Sequence, residues 1–351
     1  MDLASYDFDL PDHLIALRPL ADRTAARLLV VHGDGRLEDC RIGDLPDLLQ
    51  PTDVLVFNDT RVIPAALSGV RPKRDETGED VAVDLNLVEQ LSGEEWRALG
   101  RPGRRLRPGD RIELAPGFSA TILEKEEGGR LKVSFSVSDG TVEAAIERHG
   151  AMPLPPYIAR RRPADARDRA DYQTTYAGDD AGSFAAPTAG LHFTDVLLSR
   201  LSEKSIQTER VTLHVGLGTF SPLTDEELAS RRLHAEWRTI TPSTTDRLNQ
   251  AAAQGRRIIP VGTTAMRTLE SAVTGQSTIK AVTGPTDIFI QPGDKIGFTG
   301  GLMTNFHLPR SSLFMLVCAL MGTEIMQAAY AHATATGYRF YSYGDACLLL
   351  P

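Results

Sequence analysis

The sequence predicts an α/β protein: a mixed-sheet, pseudo-barrel-like main domain interrupted by a small inserted antiparallel β-barrel. Three observations carry this. Short apolar runs, Arg27 to Val31, Asp53 to Phe57 and Ile258 to Val261, read as buried strands. From about residue 66 the texture changes to strict alternation with frequent turn signals. After about residue 149 the α/β texture returns. Residues 1–65 and 150–351 are therefore expected to form the main domain, and 66–149 the insert.

At 351 residues, with 42% hydrophobic and 24% charged side chains, the chain can bury a large core without staples. Its start is acidic and lacks the basic and apolar regions of a signal peptide. The best apolar run, Leu313 to Met321, is far short of the ~20 residues that span a bilayer. Cys40, Cys318 and Cys347 are scattered and odd in number, so they read as free thiols in a reducing cytoplasm. A net charge of −8 disfavours nucleic acid in bulk, so an RNA partner needs a local basic patch.

Taken in order, the run through Phe57 leads into Asn58-Asp59-Thr60-Arg61, a polar cluster at a strand's carboxyl end. In open α/β sheets ligands bind there; a capping Asx-turn is the other reading. In the insert, Val81, Val83, Leu85 and Leu87 alternate with Ala82, Asp84 and Asn86, and Leu131, Val133, Phe135 and Val137 repeat the pattern. Short alternating strands separated by Pro-Gly and Gly-Gly turns suggest a closed barrel. Thr141 to His149 reads as a helix stopped by Gly150, and Met152 to Ile158 as an extended Pro-rich segment. Arg160-Arg161-Arg162 follows, flanked by Tyr157 and Tyr172. Basic residues among aromatics fit single-stranded RNA, and they equally fit a solvated linker.

The stretch Gly182 to Thr194 is poor in large side chains. Small residues let backbone approach a ligand, Pro187 fixes a turn, His192 supplies an imidazole, and Thr194 is placed to cap a helix. A tight turn packed on a sheet is the alternative. Val211 to Val215 is a strand ending in Gly216-Leu217-Gly218-Thr219-Phe220. Ser221-Pro222 then stands where a dinucleotide fingerprint needs its third glycine. Thr224 to Glu227 is a capping box. At Val261 to Thr264 a strand, a glycine and two threonines open a helix, presenting N–H groups to an anion. Thr286 to Ile290 reads as a strand, Ser311 caps an apolar helix, and Tyr338 to Ser342 reads as the closing strand. His192, His214, His234 and His307 follow or interrupt glycine- and threonine-rich turns, as general acid/base groups do. None has metal-type spacing, although loop histidines can also converge on a metal.

The motifs DVLVFNDTRVIP (53–64), GSFAAPTAGLHFT (182–194), HVGLGTF (214–220), VGTTAMRTLES (261–271), TDIFIQPG (286–293), TNFHLP (304–309) and YRFYSYGDA (338–346) resemble, in order along nearly the whole chain, the S-adenosylmethionine:tRNA ribosyltransferase-isomerase family. Ala235, Ala265-Met266 and Cys347 depart from that family's pattern beside its polar residues. The resemblance implies an enzyme that moves the ribosyl part of S-adenosylmethionine onto 7-aminomethyl-7-deazaguanine at the tRNA wobble position. Isomerisation then gives epoxyqueuosine, with loss of adenine and methionine. It implies S-adenosylmethionine as co-substrate, no metal, tRNA as partner, no membrane, no stable protein partner and a monomer. We expect His192, His214, His307 and Asp59 to be catalytic. Substrate contacts are expected from Asn58, Arg61, Thr188, Gly190, Gly216, Thr219, Thr263, Thr264, Arg267, Asp287 and Asn305, and tRNA contacts from Arg160, Arg161 and Arg162. A non-catalytic tRNA-binding protein of the same fold and a metal-dependent hydrolase are the rival readings.

Overall fold

A run of apolar residues buried on both sides is the mark of a covered, largely parallel sheet. Val54–Asn58 is such a strand, with every residue buried. In the computed structural model, which describes residues 3–216 and 223–351, it lies near the middle of a nine-stranded mixed sheet. From one edge to the other the strands are Val282–Ile288, Arg232–Ile240, Gln207–Leu213, Val54–Asn58, Ile258–Val261, Leu302–Asn305, Ala346–Leu350, Arg27–His32 and Leu37–Arg41. This is the mixed sheet expected of the main domain.

The arrangement that matters most is local. Gln207–Leu213, Val54–Asn58, Ile258–Val261 and Leu302–Asn305 are neighbours and all parallel. Their carboxyl ends therefore emerge side by side. Ala346–Leu350 runs antiparallel to the last of them, pairing Ala346 with Asn305, so its amino end lies at the same edge. Helices cover both faces. Leu55, Phe57, Ile259, Val261 and Met303 pack with Leu197 and Leu201 of the helix Asp195–Glu203. Val54, Val56 and Ile258 pack on Ala265 and Leu269 of the helix Thr263–Glu270. Thr194 caps the first helix by accepting Leu197 N–H at 3.2 Å. Among the described residues no single helix is long and apolar enough to cross a membrane.

One expected strand is absent. Tyr338 to Ser342 is irregular, and the closing strand is Ala346–Leu350. Tyr341 has φ of 76°, which ends extended backbone, and Asp345 Oδ2 accepts Arg339 N–H at 2.8 Å, folding the segment into a turn. The Pro-rich segment also differs from expectation: Pro156–Ala159 is a short helix, with proline at its permissive first turn.

The chain divides into two compact units. The sheet belongs to Met1–Arg61, Gln173–Asp180 and Ala186–Pro351; the other unit is Val62–Tyr172 with Ala181–Ala185. In the latter, six antiparallel strands close a barrel in the order Arg130–Val137, Glu95–Arg101, Val81–Gln90, Ala66–Arg71, Arg111–Ala115 and Phe118–Lys125. Val81, Val83, Leu85 and Leu87 point inward with Leu131, Val133 and Phe135, while Ala82 and Asp84 face solvent.

Candidate active site

Residues just past the four parallel strand ends build the site. Asn58 is fully buried and acts as a staple between strands. Its Oδ1 accepts Leu213 N–H at 3.0 Å, and its Nδ2 donates to Leu213 O at 3.0 Å and to Thr264 Oγ1 at 3.2 Å. The capping reading of this cluster holds as well: Asn58 Oδ1 also takes Thr60 N–H at 3.2 Å.

His214 stands at the end of the adjacent strand. Its Nδ1 lies 2.8 Å from Thr60 Oγ1, and its Nε2 lies 3.5 Å from Asp180 Oδ2. The His214 side chain is 17% exposed, so it keeps an open side. Asp59 is turned toward Thr212, whose hydroxyl donates to Oδ1 at 2.7 Å. Burial pushes the Asp59 carboxyl up, against the Thr212 hydrogen bond and the Arg210 charge. Arg61 is exposed, and its backbone N–H reaches Asp180 O at 3.4 Å.

A second group forms at the end of Leu302–Asn305. Asn305 Oδ1 accepts the Thr188 hydroxyl at 2.9 Å, and Nδ2 faces Asp345 O at 3.4 Å and His192 Nε2 at 3.3 Å. The Asp345 carbonyl can only accept, so Nδ2 is the donor to both and His192 Nε2 carries a lone pair. The His192 ring also bonds the Arg23 backbone. Burial pushes His192 down to about 4, with Asp345 opposing and Arg339 assisting. The ring is thus uncharged at neutral pH. Beside it a cleft is lined by Leu20, Arg23, Leu191, His192, Arg339 and Tyr343.

Close backbone contact joins the two groups. Gly262 has φ of +94°, and a Cβ there would lie 3.7 Å from both Ala189 Cβ and Thr264 Oγ1. At Gly190 a Cβ would fall 1.9 Å from Tyr176 Oη, so only glycine fits. The small residues of 182–194 therefore include one strict steric requirement.

Other expected residues take partners outside these two groups. His307 bonds Thr304 Oγ1 at 3.2 Å, and its backbone N–H donates to Tyr330 Oη at 3.0 Å. Thr304 points to the opposite face of its strand from Asn305. Burial alone pushes His307 down to about 3. It is a neutral ring held beside Tyr330, which packs in turn on Phe306 and Phe314. Asp287 is held by Arg232 at 3.1 Å and is 43% exposed at the sheet's edge. Thr219 lies outside the described residues. Gly216 donates its N–H to Glu236 Oε1 at 3.1 Å, and Glu236 Oε2 pairs with Arg267 Nη1 at 2.5 Å. Burial pushes Glu236 up, but Arg267, His234 and the Gly216 N–H outweigh it and hold the carboxyl at about 2.

In the other unit Arg160 and Arg161 are exposed. Arg162 is not: both its Nη atoms bond Asp168, fully buried, at 2.8 and 2.6 Å. Among the described residues no group of three His, Cys, Asp or Glu is arranged to hold a metal ion.

Thr60, Asp180, Arg23 and Tyr176 also shape the site and do not stand out in the sequence. Thr60 lies inside the motif at 53–64, overshadowed by its charged neighbours. Asp180 carries no local signal, because its partner His214 is remote from it along the chain.

Residues 3–349 match the family described as queuosine biosynthesis protein. The chain is 63% identical over 351 residues to the S-adenosylmethionine:tRNA ribosyltransferase-isomerase of Hyphomonas neptunium, covering all of both chains. It is 53% identical to that of Phenylobacterium zucineum, covering 99% of each. The crystal structure of S-adenosylmethionine tRNA ribosyltransferase from Thermotoga maritima aligns with a TM-score of 0.55 at 31% identity, over 99% of this chain and all of that one. Similarity that runs end to end and takes in every strand of the crevice makes this chain a member of the queuosine biosynthesis protein family.

Proposed function

We propose that the protein transfers and isomerises the ribosyl moiety of S-adenosylmethionine onto 7-aminomethyl-7-deazaguanine in tRNA, releasing adenine and methionine. The observation that carries this is the shared edge of four parallel strands. Asn58, His214, Thr263 and Asn305 leave it side by side, and His192 is bonded to the last. Family membership sets the reaction; the crevice supplies groups suited to it.

The sulfonium acidifies the neighbouring ribose carbon, so the co-substrate carries the difficult chemistry. The protein must accept a proton, return one to departing adenine, and place the tRNA amine. His192 and His214 are the two imidazoles at the edge. His192 is kept neutral by burial and is oriented by Asn305 and Thr188. His214 is oriented by Thr60 and faces the Asp180 carboxylate. Asp59 is a carboxyl raised by burial within the same strand-end cluster. His307 keeps these groups in register from behind the strand rather than taking a proton. Arg160 and Arg161 are assigned to tRNA phosphates, and Arg162 to holding Asp168.

The test is incubation with ribose-labelled S-adenosylmethionine and tRNA bearing the aminomethyl base. Label should enter tRNA with one adenine released per transfer, and tRNA with an unmodified guanine should accept none. Absence of label in the modified tRNA overturns the assignment.

A further inference from the structure

The helix Thr263–Glu270 begins without a cap. Gly262 precedes it, and no side chain caps the N–H groups of its first turn. Thr263, Thr264 and Ala265 are 6%, 7% and 0% exposed. Among the described residues their backbone N–H groups meet no protein acceptor; the first to do so is Met266, on Gly262 O at 3.2 Å. Buried, unspent N–H groups at the positive end of a helix are rare in folded chains, and an anion satisfies them.

A second feature points the same way. Arg267 lies one turn on, on the same face as Thr263, and helical side chains lean toward the amino end. It is 3% exposed. Nη1 bonds Glu236 at 2.5 Å and Nε reaches Ile288 O at 3.4 Å, while Nη2 is buried without a partner. Gln291, 2% exposed and three residues past Ile288, also buries an unpartnered Nε2. Glu236 already accepts from Arg267 and from Gly216 N–H, so it does not consume these donors. The unspent groups of Thr263, Thr264, Ala265, Arg267 and Gln291 are all donors, and their complement is a planar anion with two oxygens.

Resting on the reaction proposed above, we propose that Arg267 Nη2 and the amino end of the helix Thr263–Glu270, with Gln291, seat the α-carboxylate of S-adenosylmethionine. The carboxylate is the one anionic group of that co-substrate at neutral pH. Seating it fixes the methionyl end and leaves the ribose facing His214 and His192. The Arg267–Glu236 pair is neutral as a unit, so the site distinguishes a carboxylate by directed hydrogen bonds more than by net charge.

The test is equilibrium binding of S-adenosylmethionine and of its decarboxylated analogue. The wild-type protein should prefer the carboxylated form by about tenfold or more, as charge-assisted hydrogen bonds in a buried site do. In the double variant Arg267→Gln, Glu236→Gln, which leaves no buried charge unpaired, the preference should fall to about twofold or less. Equal wild-type affinity for the two ligands, or a preference that survives in the double variant, overturns the seat. Should the double variant fail to fold, Gln291→Leu removes one donor and no charge; a preference lowered about threefold supports the seat, and an unchanged one overturns it. If the double variant instead lowers the salt dependence of tRNA binding and keeps the ligand preference, the anion is a tRNA phosphate and the proposal fails. These readouts are binding constants. A wild type that prefers the carboxylated ligand yet labels no tRNA would refute the reaction and leave the seat standing.

Discussion

The barrel and the strand-end crevice both rest on buried apolar strands, yet they treat polar atoms differently. Barrel strands put Val83, Leu85, Leu131 and Val133 inside and Asp84 and Lys132 outside, so polar groups stay near water. Those inward residues carry no polar side-chain atoms and need only packing. At the crevice, Asn58, Thr60, Thr264, His192 and Asn305 are all buried and are bonded in two clusters, Asn58 with Thr60 and Thr264, and His192 with Asn305. Burying polar groups costs free energy unless each is partnered. Near the start of the helix Thr263–Glu270 the pairing is extensive but incomplete: Arg267 Nη2 and Gln291 Nε2 are buried without a partner. The barrel strands also bury single unpartnered donors, at Arg71 Nε and Trp96 Nε1, so the lesson is that several unspent donors together, and not burial or one orphan alone, mark a candidate site.

The sharpest way to break this contrast is a matched pair of variants. His214→Asn should lower adenine release about 10²- to 10³-fold, the worth of a positioned proton-transfer group. It should change the melting temperature little, because the ring is partly open to solvent. Leu85→Ala in the barrel removes a side chain with no exposure and should cost about 2–5 kcal/mol of stability. Its kcat, per folded molecule at saturating substrates, should stay within about twofold of wild type. Calorimetry and single-turnover adenine release on both proteins decide the matter. A His214→Asn protein with normal turnover, or a stable Leu85→Ala protein with lost kcat, erases the distinction.

That contrast also explains what the sequence revealed. Barrel strands were legible because alternation is a two-residue signal, written in each strand by itself. Val54–Asn58 was legible because a parallel strand is apolar on both faces. The strand expected at Tyr338 to Ser342 was misread because its aromatic residues do favour strands. What overrides them is tertiary: Asp345 draws Arg339 N–H into a turn. The candidate site was partly legible. Asn58, His214, Thr263 and Asn305 each follow an apolar run, and a polar residue at that position has a recognisable signature. Their partners were not legible, since Asp180 and Arg23 reach His214 and His192 only through the fold. Arg162 looked like its neighbours in sequence, and its hold on the buried Asp168 is visible only in the fold.

A pH measurement sharpens the comparison at intermediate size. Burial lowers the His192 ring to about 4, below the value of 6.5 it has when exposed. The unfolded chain therefore takes up the proton first as the pH falls. The stability tied to this ring is complete above about pH 6.5 and is lost progressively toward pH 4. For His192 this loss between pH 7 and pH 4.5 is about 2 kcal/mol. Urea melts of His192→Gln should show a correspondingly flatter acid limb than wild type. His307, lowered to about 3 by burial alone, should contribute a similar slope, removed independently in His307→Gln. The inward residues of the barrel strands named above are apolar, so Leu85→Ala should shift the acid limb without changing its slope. An unaltered slope in both histidine variants would mean that the rings are not buried as described.

The smallest expected effect concerns the arginine run. Arg160 and Arg161 are exposed, and Arg162 is fixed on Asp168. Each phosphate that goes unneutralised should reduce the slope of log K against log salt by about 0.7 to 0.9. The variant Arg160→Gln, Arg161→Gln should thus flatten the slope of tRNA binding by about 1 to 2. Near physiological salt, affinity should fall by roughly one order of magnitude, with kcat at saturating tRNA unchanged. Arg162→Gln should behave as the opposite case. Removing its guanidinium strips a buried carboxylate of its cation, which destabilises the fold, while the salt slope per folded molecule stays near that of the wild type. Filter binding of tRNA across about 50 to 300 mM salt, a range over which screening changes steeply, separates the two. If Arg162→Gln flattens the slope and the double variant does not, adjacency in sequence was the better guide to RNA contact than exposure, and the division between Arg162, held on a buried carboxylate, and its more exposed neighbours fails.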